Sequence, residues 1–123
     1  MSLRQIQLNP LNRLAVWEDI KAKREALKRA PITTSKGVFD VDDVSFQNIT
    51  TAISAFAVLE DTETHTLTWK MQDNSFIAVT VADLIDAQNA VAIRANMIHG
   101  HAEVIHSEAH TIKDLEDLSL WGI

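Results

Sequence analysis

The longest hydrophobic pattern of the chain lies in its second half and has the period of an α-helix. Its members are spaced alternately by four and three residues: Leu84, Gln88, Val91, Ala95, Ile98, Ala102, Ile105, Ala109 and Ile112. A repeat of 3.5 residues kept over this length predicts a long helix with one buried side. Gly100 lies inside the run. Because glycine costs about 1 kcal/mol relative to alanine within a helix, it marks a position where the helix can kink or break.

Two shorter helices are predicted in the first half of the chain. Residues 11–29 are strong helix formers between Pro10 and Pro31, and proline favours the start of a helix and stops its continuation. Hydrophobic residues recur at helical spacing again from residue 45 to about residue 59. Ser45 is the predicted N-cap of this second helix, because its hydroxyl oxygen can accept a hydrogen bond from a free backbone N–H of the first turn.

Between these helices and the long one, the period changes to that of β-strands. Polar and apolar residues alternate from residue 65, and the turn-forming residues 72–75 separate this run from a second apolar run. The pattern predicts a two-stranded hairpin over residues 65–79, with Trp69 in the core. Thr80 and Asp83 have the spacing of a capping box and predict the start of the long helix.

These elements predict an α+β fold, a helix-dominated single domain with one two-stranded antiparallel β-hairpin. The domain is expected to cover residues 11–123, and residues 1–10 are expected to form an N-terminal arm. The pattern leaves open a further short strand around residues 38–39. A chain of 123 residues can bury one core without covalent staples, and it contains no cysteine.

The charge of the chain is unevenly distributed. Residues 1–36 hold eight Lys and Arg against three Asp and Glu, a balance of +5, whereas residues 37–123 hold three against fourteen, a balance of −11. A basic helix that packs against an acidic body explains this better than nucleic-acid binding, because the acidic majority would repel a phosphate backbone. No run reaches the roughly 18 apolar residues of a membrane span, and the N-terminus lacks the pattern of a signal peptide. The sequence therefore predicts a cytosolic protein with no nucleic-acid and no membrane partner.

One group of residues has the spacing of a metal site. His99, Glu103, His106 and His110 follow each other at i, i+4, i+7 and i+11 and form one stripe on an unbroken helix. Such side chains can bind zinc or another divalent ion, but no second segment completes a ligand set. The alternative, which we expect, is that these side chains form a solvent-exposed polar side of the helix and bind no metal. No Gly-x-Ser-x-Gly elbow or glycine-rich phosphate loop is present, so the sequence predicts no enzyme, no catalytic residue, no metal and no cofactor.

Several apolar residues have no evident partner within the predicted domain, and these are the predicted partner interface. Ile93, Met97 and Val104 lie on the side of the long helix that is opposite its hydrophobic repeat. The others are near the termini: Leu3, Ile6, Leu8, Trp121 and Ile123. Trp121 either anchors into a neighbouring surface or packs back onto its own domain, and the sequence leaves both open. A homo-oligomer is one form that such an interface can take.

The order of these motifs resembles a phage and prophage domain of unknown function that occurs in tail-fibre-associated and tail-fibre assembly proteins. The resemblance covers roughly residues 11–118 and rests on the segment Gly37-Val38-Phe39-Asp40-Val41-Asp42 before Ser45, on Trp69 followed by Asp73-Asn74, and on the helix start from Thr80 to Leu84. It implies a structural or adaptor component of a bacteriophage tail, placed in the virion, assembled in the host cytoplasm and bound to other tail proteins. A tail-fibre assembly chaperone that is absent from the virion is the alternative, and a metal-dependent enzyme is a third reading. The resemblance assigns no catalytic residues.

Overall fold

The computed structural model describes residues 10–56, 58 and 65–123, and in this part of the chain it contains three α-helices and two separate β-hairpins. In chain order the elements are α1 (Trp17–Lys28), β1 (Ile32–Thr34), β2 (Gly37–Phe39), α2 (Asp43–Phe56), β3 (Thr66–Lys70), β4 (Phe76–Thr80) and α3 (Val81–Ser107), with short 3-10 helices at Pro10–Asn12, Lys113–Glu116 and Leu118–Trp121. The helix-dominated α+β class is confirmed. The expectation of one hairpin was wrong, because β1 and β2 form a second one.

The long helix α3 is continuous through Gly100, so the glycine does not break it. Its hydrophobic repeat is the buried side, as Leu84, Val91, Ile98, Ala102 and Ile105 are all buried. The predicted capping box is present at its start. The Thr80 backbone N–H donates to the Asp83 carboxylate at 2.8 Å, and the Asp83 backbone N–H donates to Thr80 Oγ1 at 3.2 Å.

The chain divides into two compact units, which we call the middle unit and the terminal unit. The middle unit consists of Arg29–Arg94, and the terminal unit combines the chain up to Lys28 with Ala95–Ile123. Helix α3 supplies its first half to the middle unit and its second half to the terminal unit. Each unit has its own hydrophobic core.

The core of the middle unit is formed by one face of β3–β4, the β1–β2 hairpin, and helices α2 and α3. Its buried members are Ile32, Phe39, Val41, Ile49, Met71, Val79, Leu84, Ala87 and Val91. Side chains alternate along the hairpin, so Leu67, Trp69 and Ile77 face this core while their neighbours are exposed. Trp69 packs against the core but is only half-buried, so part of its indole ring remains accessible.

Helix α2 begins two residues before the predicted N-cap Ser45, because Asp42 caps it instead. The Asp42 carboxylate accepts hydrogen bonds from the Ser45 backbone N–H at 2.9 Å and from the Ser45 hydroxyl at 3.2 Å. A carboxylate is a stronger acceptor at this end of a helix than a hydroxyl, since its charge also faces the positive end of the helix dipole. The Ser45 N–H bond is the main reason that the pKa of Asp42 is lowered.

The terminal unit is closed by a pairing between its two chain segments. The Ala15 N–H donates to the His110 carbonyl at 2.8 Å, and the Ile112 N–H donates to the Arg13 carbonyl at 2.9 Å. This extended segment explains why α1 begins at Trp17 rather than at residue 11. The buried core of the unit consists of Ile20, Leu27, Ile98, Ala102, Ile105, Leu115 and Trp121.

Candidate functional site

The middle unit has a groove of about 590 Å³ between helix α2 and strand β3. We call it the α2–β3 groove. Its volume lies within the range of ligand and peptide sites, roughly 300–1,000 Å³. Its lining residues are Asp40, Ser45, Asn48, Thr51, Ala52, Ala55, Phe56, Thr68, Trp69, Lys70 and Phe76.

Aromatic rings and small residues give the α2–β3 groove an apolar surface. Trp69 reaches it from the hairpin, and Phe56 reaches it from the end of α2, where its ring stacks on His65 with 5.6 Å between centroids. Phe76 is 67% exposed although it is a large apolar side chain. Ala52 and Ala55 leave room between helix and strand. The other lining residues are polar or charged, so the groove combines apolar contact surface with hydrogen-bonding groups, as ligand-binding sites do.

A second candidate is the side of helix α3 that faces away from its hydrophobic repeat. Ile93 is 71% exposed, Met97 37% and Val104 54%, and all three lie on the same continuous helix at spacings of four and seven residues. We call this surface the outer face of α3. Ile85 is exposed on this helix as well. The sequence-based placement of these three residues on one exposed side therefore agrees with the structure, while their contact with a partner stays a prediction.

The other predicted interface residues have different positions. Leu3, Ile6 and Leu8 lie outside the described residues. Ile123 is half exposed, at 52%. Trp121 is completely buried, and its indole N–H donates to the Leu115 carbonyl at 3.1 Å.

The burial of Trp121 decides between the two roles that the sequence left open for it. Its ring is part of the hydrophobic core of the terminal unit, so it packs onto its own domain and is not available to a neighbouring surface. The physical reason is the turn at the end of the chain. A short 3-10 helix, capped by the Asp117 carboxylate, directs the ring inwards, and Gly122 ends it in the left-handed conformation, with φ at 78°.

The four candidate metal ligands have different surroundings. His99 Nε2 lies 3.1 Å from Lys28 Nζ, and the ring of His106 stacks on Trp17 with 4.4 Å between centroids. Glu103 is exposed on the same helix, and His110 lies beyond the end of α3. Within the described ranges, no group of three or more His, Cys, Asp or Glu side chains comes together as a metal site.

His110 lies between two carboxylates in the terminal unit. Its Nε2 is 3.0 Å from Glu108, and its Nδ1 is 3.3 Å from Asp114. The hydrogen bond with Glu108 is the main reason that the pKa of His110 is raised, and Asp114 raises it further against the opposing effect of burial. Because the His110 carbonyl also accepts the Ala15 N–H, this charged cluster supports the pairing of the two chain segments.

The uneven charge is partly matched inside each unit. In the terminal unit, Lys23 of α1 pairs with Glu116 at 3.2 Å. In the middle unit, Arg29 pairs with Asp43 at 2.5 Å and Lys36 with Asp83 at 3.7 Å. These pairs link basic residues of the first 36 positions to acidic residues further along the chain. They support the expectation that the basic segment contacts the acidic body.

Sequence reasoning missed the α2–β3 groove. The alternation in residues 65–71 predicts strand β3, and the helical spacing predicts helix α2. Neither pattern indicates that a gap separates the strand from the helix. The available signal was the pair of small residues Ala52 and Ala55 on one side of α2, together with the aromatic Phe56 and Trp69.

Comparison with known proteins identifies a family for this chain. The fold is that of a helix-dominated α+β protein in which two short hairpins accompany one long helix. Residues 12–119 match the family described as a domain of unknown function, DUF4376, and the chain belongs to that family. No curated protein and no solved structure matches the chain. Among the helices that the structure describes, none is long and apolar enough to cross a membrane.

Proposed function

We propose that this chain is a non-enzymatic structural or adaptor component of a bacteriophage tail that works through protein–protein contacts. The observation that carries the proposal is the outer face of α3, where Ile93, Met97 and Val104 are exposed on one long helix. The assignment to a phage tail rests on the resemblance of the sequence motifs to tail-fibre-associated proteins.

The energetic argument concerns what a partner gains by covering this face. Burying an exposed aliphatic or methionine side chain is worth roughly 1.5–3 kcal/mol when burial is complete. Three such side chains, 37–71% exposed, form a cluster that a partner can cover together. A few well-packed residues near the centre of an interface supply most of its binding energy, and the surrounding near-neutral contacts exclude water from them.

The outer face of α3 is tested by placing a charge in it. Met97→Asp should reduce association with the partner or with a second copy, because the carboxylate would be desolvated without a counter-ion. Val44→Asp is the matched control, since Val44 is 72% exposed and lies on α2. Light scattering of the purified chain, alone and with its neighbouring tail protein, measures the association. If all variants remain monomeric in both samples and equally soluble, the face is not an interface.

Mass spectrometry of purified particles tests the place of the chain in the tail. A structural component is present in the mature particle at a fixed copy number, whereas an assembly chaperone is present only in the infected cell. Detection in lysates and absence from particles would favour the tail-fibre assembly chaperone instead. In both cases the chain would act by binding other proteins. The cases differ in whether it binds them in the mature particle or during assembly.

A further inference from the structure

Strand β3 has an outer edge whose backbone groups are directed away from β4. Hydrogen-bonded and non-hydrogen-bonded pairs alternate along an antiparallel ladder. The Met71 N–H donates to the Ser75 carbonyl at 2.8 Å, so the next bonded pair is Trp69 with Ile77. The intervening residues Thr68 and Lys70 therefore direct their N–H and C=O groups outwards.

These outward groups have no hydrogen-bond partner among the residues that the structure describes. The Gln72 N–H is the neighbouring outward donor, and it donates to the Val38 carbonyl at 3.0 Å. Thr68 and Lys70 continue the same edge beyond this contact, and both are exposed. Strand β2 thus reaches one end of the edge, and no residue that the structure describes pairs with the remainder.

The open edge of β3 borders the α2–β3 groove. Thr68 and Lys70 line the groove on the strand side, and Asn48, Thr51 and Ala55 line it on the helix side. A strand edge beside a helix, with an apolar groove between them, is the arrangement in which a peptide adds as a further strand. Main-chain hydrogen bonds then supply affinity, and pockets for alternate side chains supply specificity.

We propose that the α2–β3 groove binds an extended peptide segment of a partner protein, which pairs with the outer edge of β3 as an additional strand. This surface is separate from the outer face of α3, so either site can fail its test without affecting the other. The five residues of β3 extend over about 17 Å at about 3.3 Å per residue, which is enough for four or five peptide residues.

The groove also specifies the side chains of the peptide. Successive residues of an added strand point to opposite faces of the sheet. Every second side chain would face Trp69, Ala52 and Phe56, so these positions should be apolar. The positions between them would lie beside Thr68 and Lys70 on the exposed face and should be polar. Because Asp40 and Lys70 contribute one charge of each sign, the peptide needs no strong net charge.

The first experiment tests the main-chain pairing directly on the wild-type chain. Peptides of about nine residues, enough to cover β3, are selected from a random display library against the purified protein and resynthesised with a single N-methyl group at each position in turn. Strand addition predicts a period of two. Methylation of every second amide should weaken binding about tenfold or more, and methylation of the others should change it little. Failure to select any binder, or selection of binders without this alternation, would overturn the proposal.

The second experiment removes the donor on the protein. Thr68→Pro deletes one of the outward N–H groups of β3. Ala78→Pro deletes an outward N–H on the opposite edge, because Ala78 is the cross-strand partner of Thr68 on β4. Proline is tolerated at such edge positions because the deleted N–H belongs to no ladder bond. The selected peptide should bind Thr68→Pro at least about tenfold more weakly than the wild-type chain and Ala78→Pro almost normally. Equal binding to both variants would show that the peptide does not use the β3 edge.

A filled groove gives a third readout that leaves the strand unchanged. Ala55→Trp should block the peptide, while Ser54→Trp, on the same helix but outside the groove, should not. Thermal melting of each variant verifies that it folds. A dimer of the chain without peptide that is lost in Thr68→Pro would contradict the proposal, because a second copy would then occupy the edge.

Discussion

Replacement of Trp121 by alanine should destabilise the terminal unit more than any other single truncation of a tryptophan in this chain. The side chain is 0% exposed and belongs to the core that also contains Leu115 and Ile105. Its indole N–H donates to the Leu115 carbonyl at 3.1 Å, and that bond is buried. The substitution therefore creates a cavity and leaves a buried acceptor without its donor.

The expected magnitude follows from these two losses. Truncation of a buried Trp or Phe to alanine costs about 3–5 kcal/mol, which includes the cavity that remains. A buried acceptor that loses its partner costs about 1–3 kcal/mol, part of which is already contained in the first range. Because a domain of this size has about 5–15 kcal/mol of stability in total, Trp121→Ala should remove a large share of it. Trp121→Phe keeps most of the ring and loses the hydrogen bond, so about 1–3 kcal/mol is expected.

Urea unfolding provides the measurement, and the remaining tryptophans report on each unit separately. Trp17 belongs to the terminal unit and Trp69 to the middle unit. Circular dichroism should show a lower transition midpoint for Trp121→Ala, and the transition should be accompanied by exposure of Trp17. A loss below about 1 kcal/mol would refute the reasoning, because it is the size expected of an exposed position. Unchanged stability together with lost partner binding would show that Trp121 is an interface anchor after all.

Two further predictions concern Trp69 and His110. Trp69→Ala should lower the free energy of unfolding by about 1–3 kcal/mol, less than Trp121→Ala, because the ring of Trp69 is only half-buried. An equal loss for both variants in the same urea experiment would contradict this. The pKa of His110 is raised by Glu108 and Asp114, so its stabilisation is fully present below the unfolded value of about 6.5 and is lost as pH rises through the folded pKa. The melting temperature of the wild-type chain should therefore decrease as the pH rises from about 6.5 through the folded pKa of His110. His110→Gln should make this decrease smaller. Identical pH profiles of melting temperature for the two chains would exclude this role.

The parts of the fold that could be predicted are those with a strong local signal. The 3.5-residue repeat gave the buried side of α3, and the capping box gave its start at Thr80. The alternation around Trp69 gave the hairpin of β3 and β4. In each case consecutive residues show the period of the element, so the element can be predicted without knowing its contacts with distant residues.

The features that could not be predicted depend on distant contacts or on very short segments. Strands β1 and β2 have three residues each, too few to show a period. They join through a turn at residues 35–36, and Gly37 directly after it has φ at 135°. The pairing of Ala15 with His110 joins segments far apart in the chain. The α2–β3 groove depends on the separation between two elements, which neither element encodes alone. The sequence allowed Asp42 as the N-cap of α2 as well as Ser45, because Asp and Ser are similarly favoured at N-cap positions.

The division of the chain into units also fixes the order in which they can form during synthesis. Residues 29–94 form one unit, whereas the buried residues of α1 share a core with residues between Ile98 and Trp121. On the ribosome the middle unit can therefore fold first, while Ile20 and Leu27 of α1 stay uncovered until the last part of the chain emerges. A folded middle unit shortens the flexible connection between α1 and the rest of its core, which lowers the entropy of closing that loop.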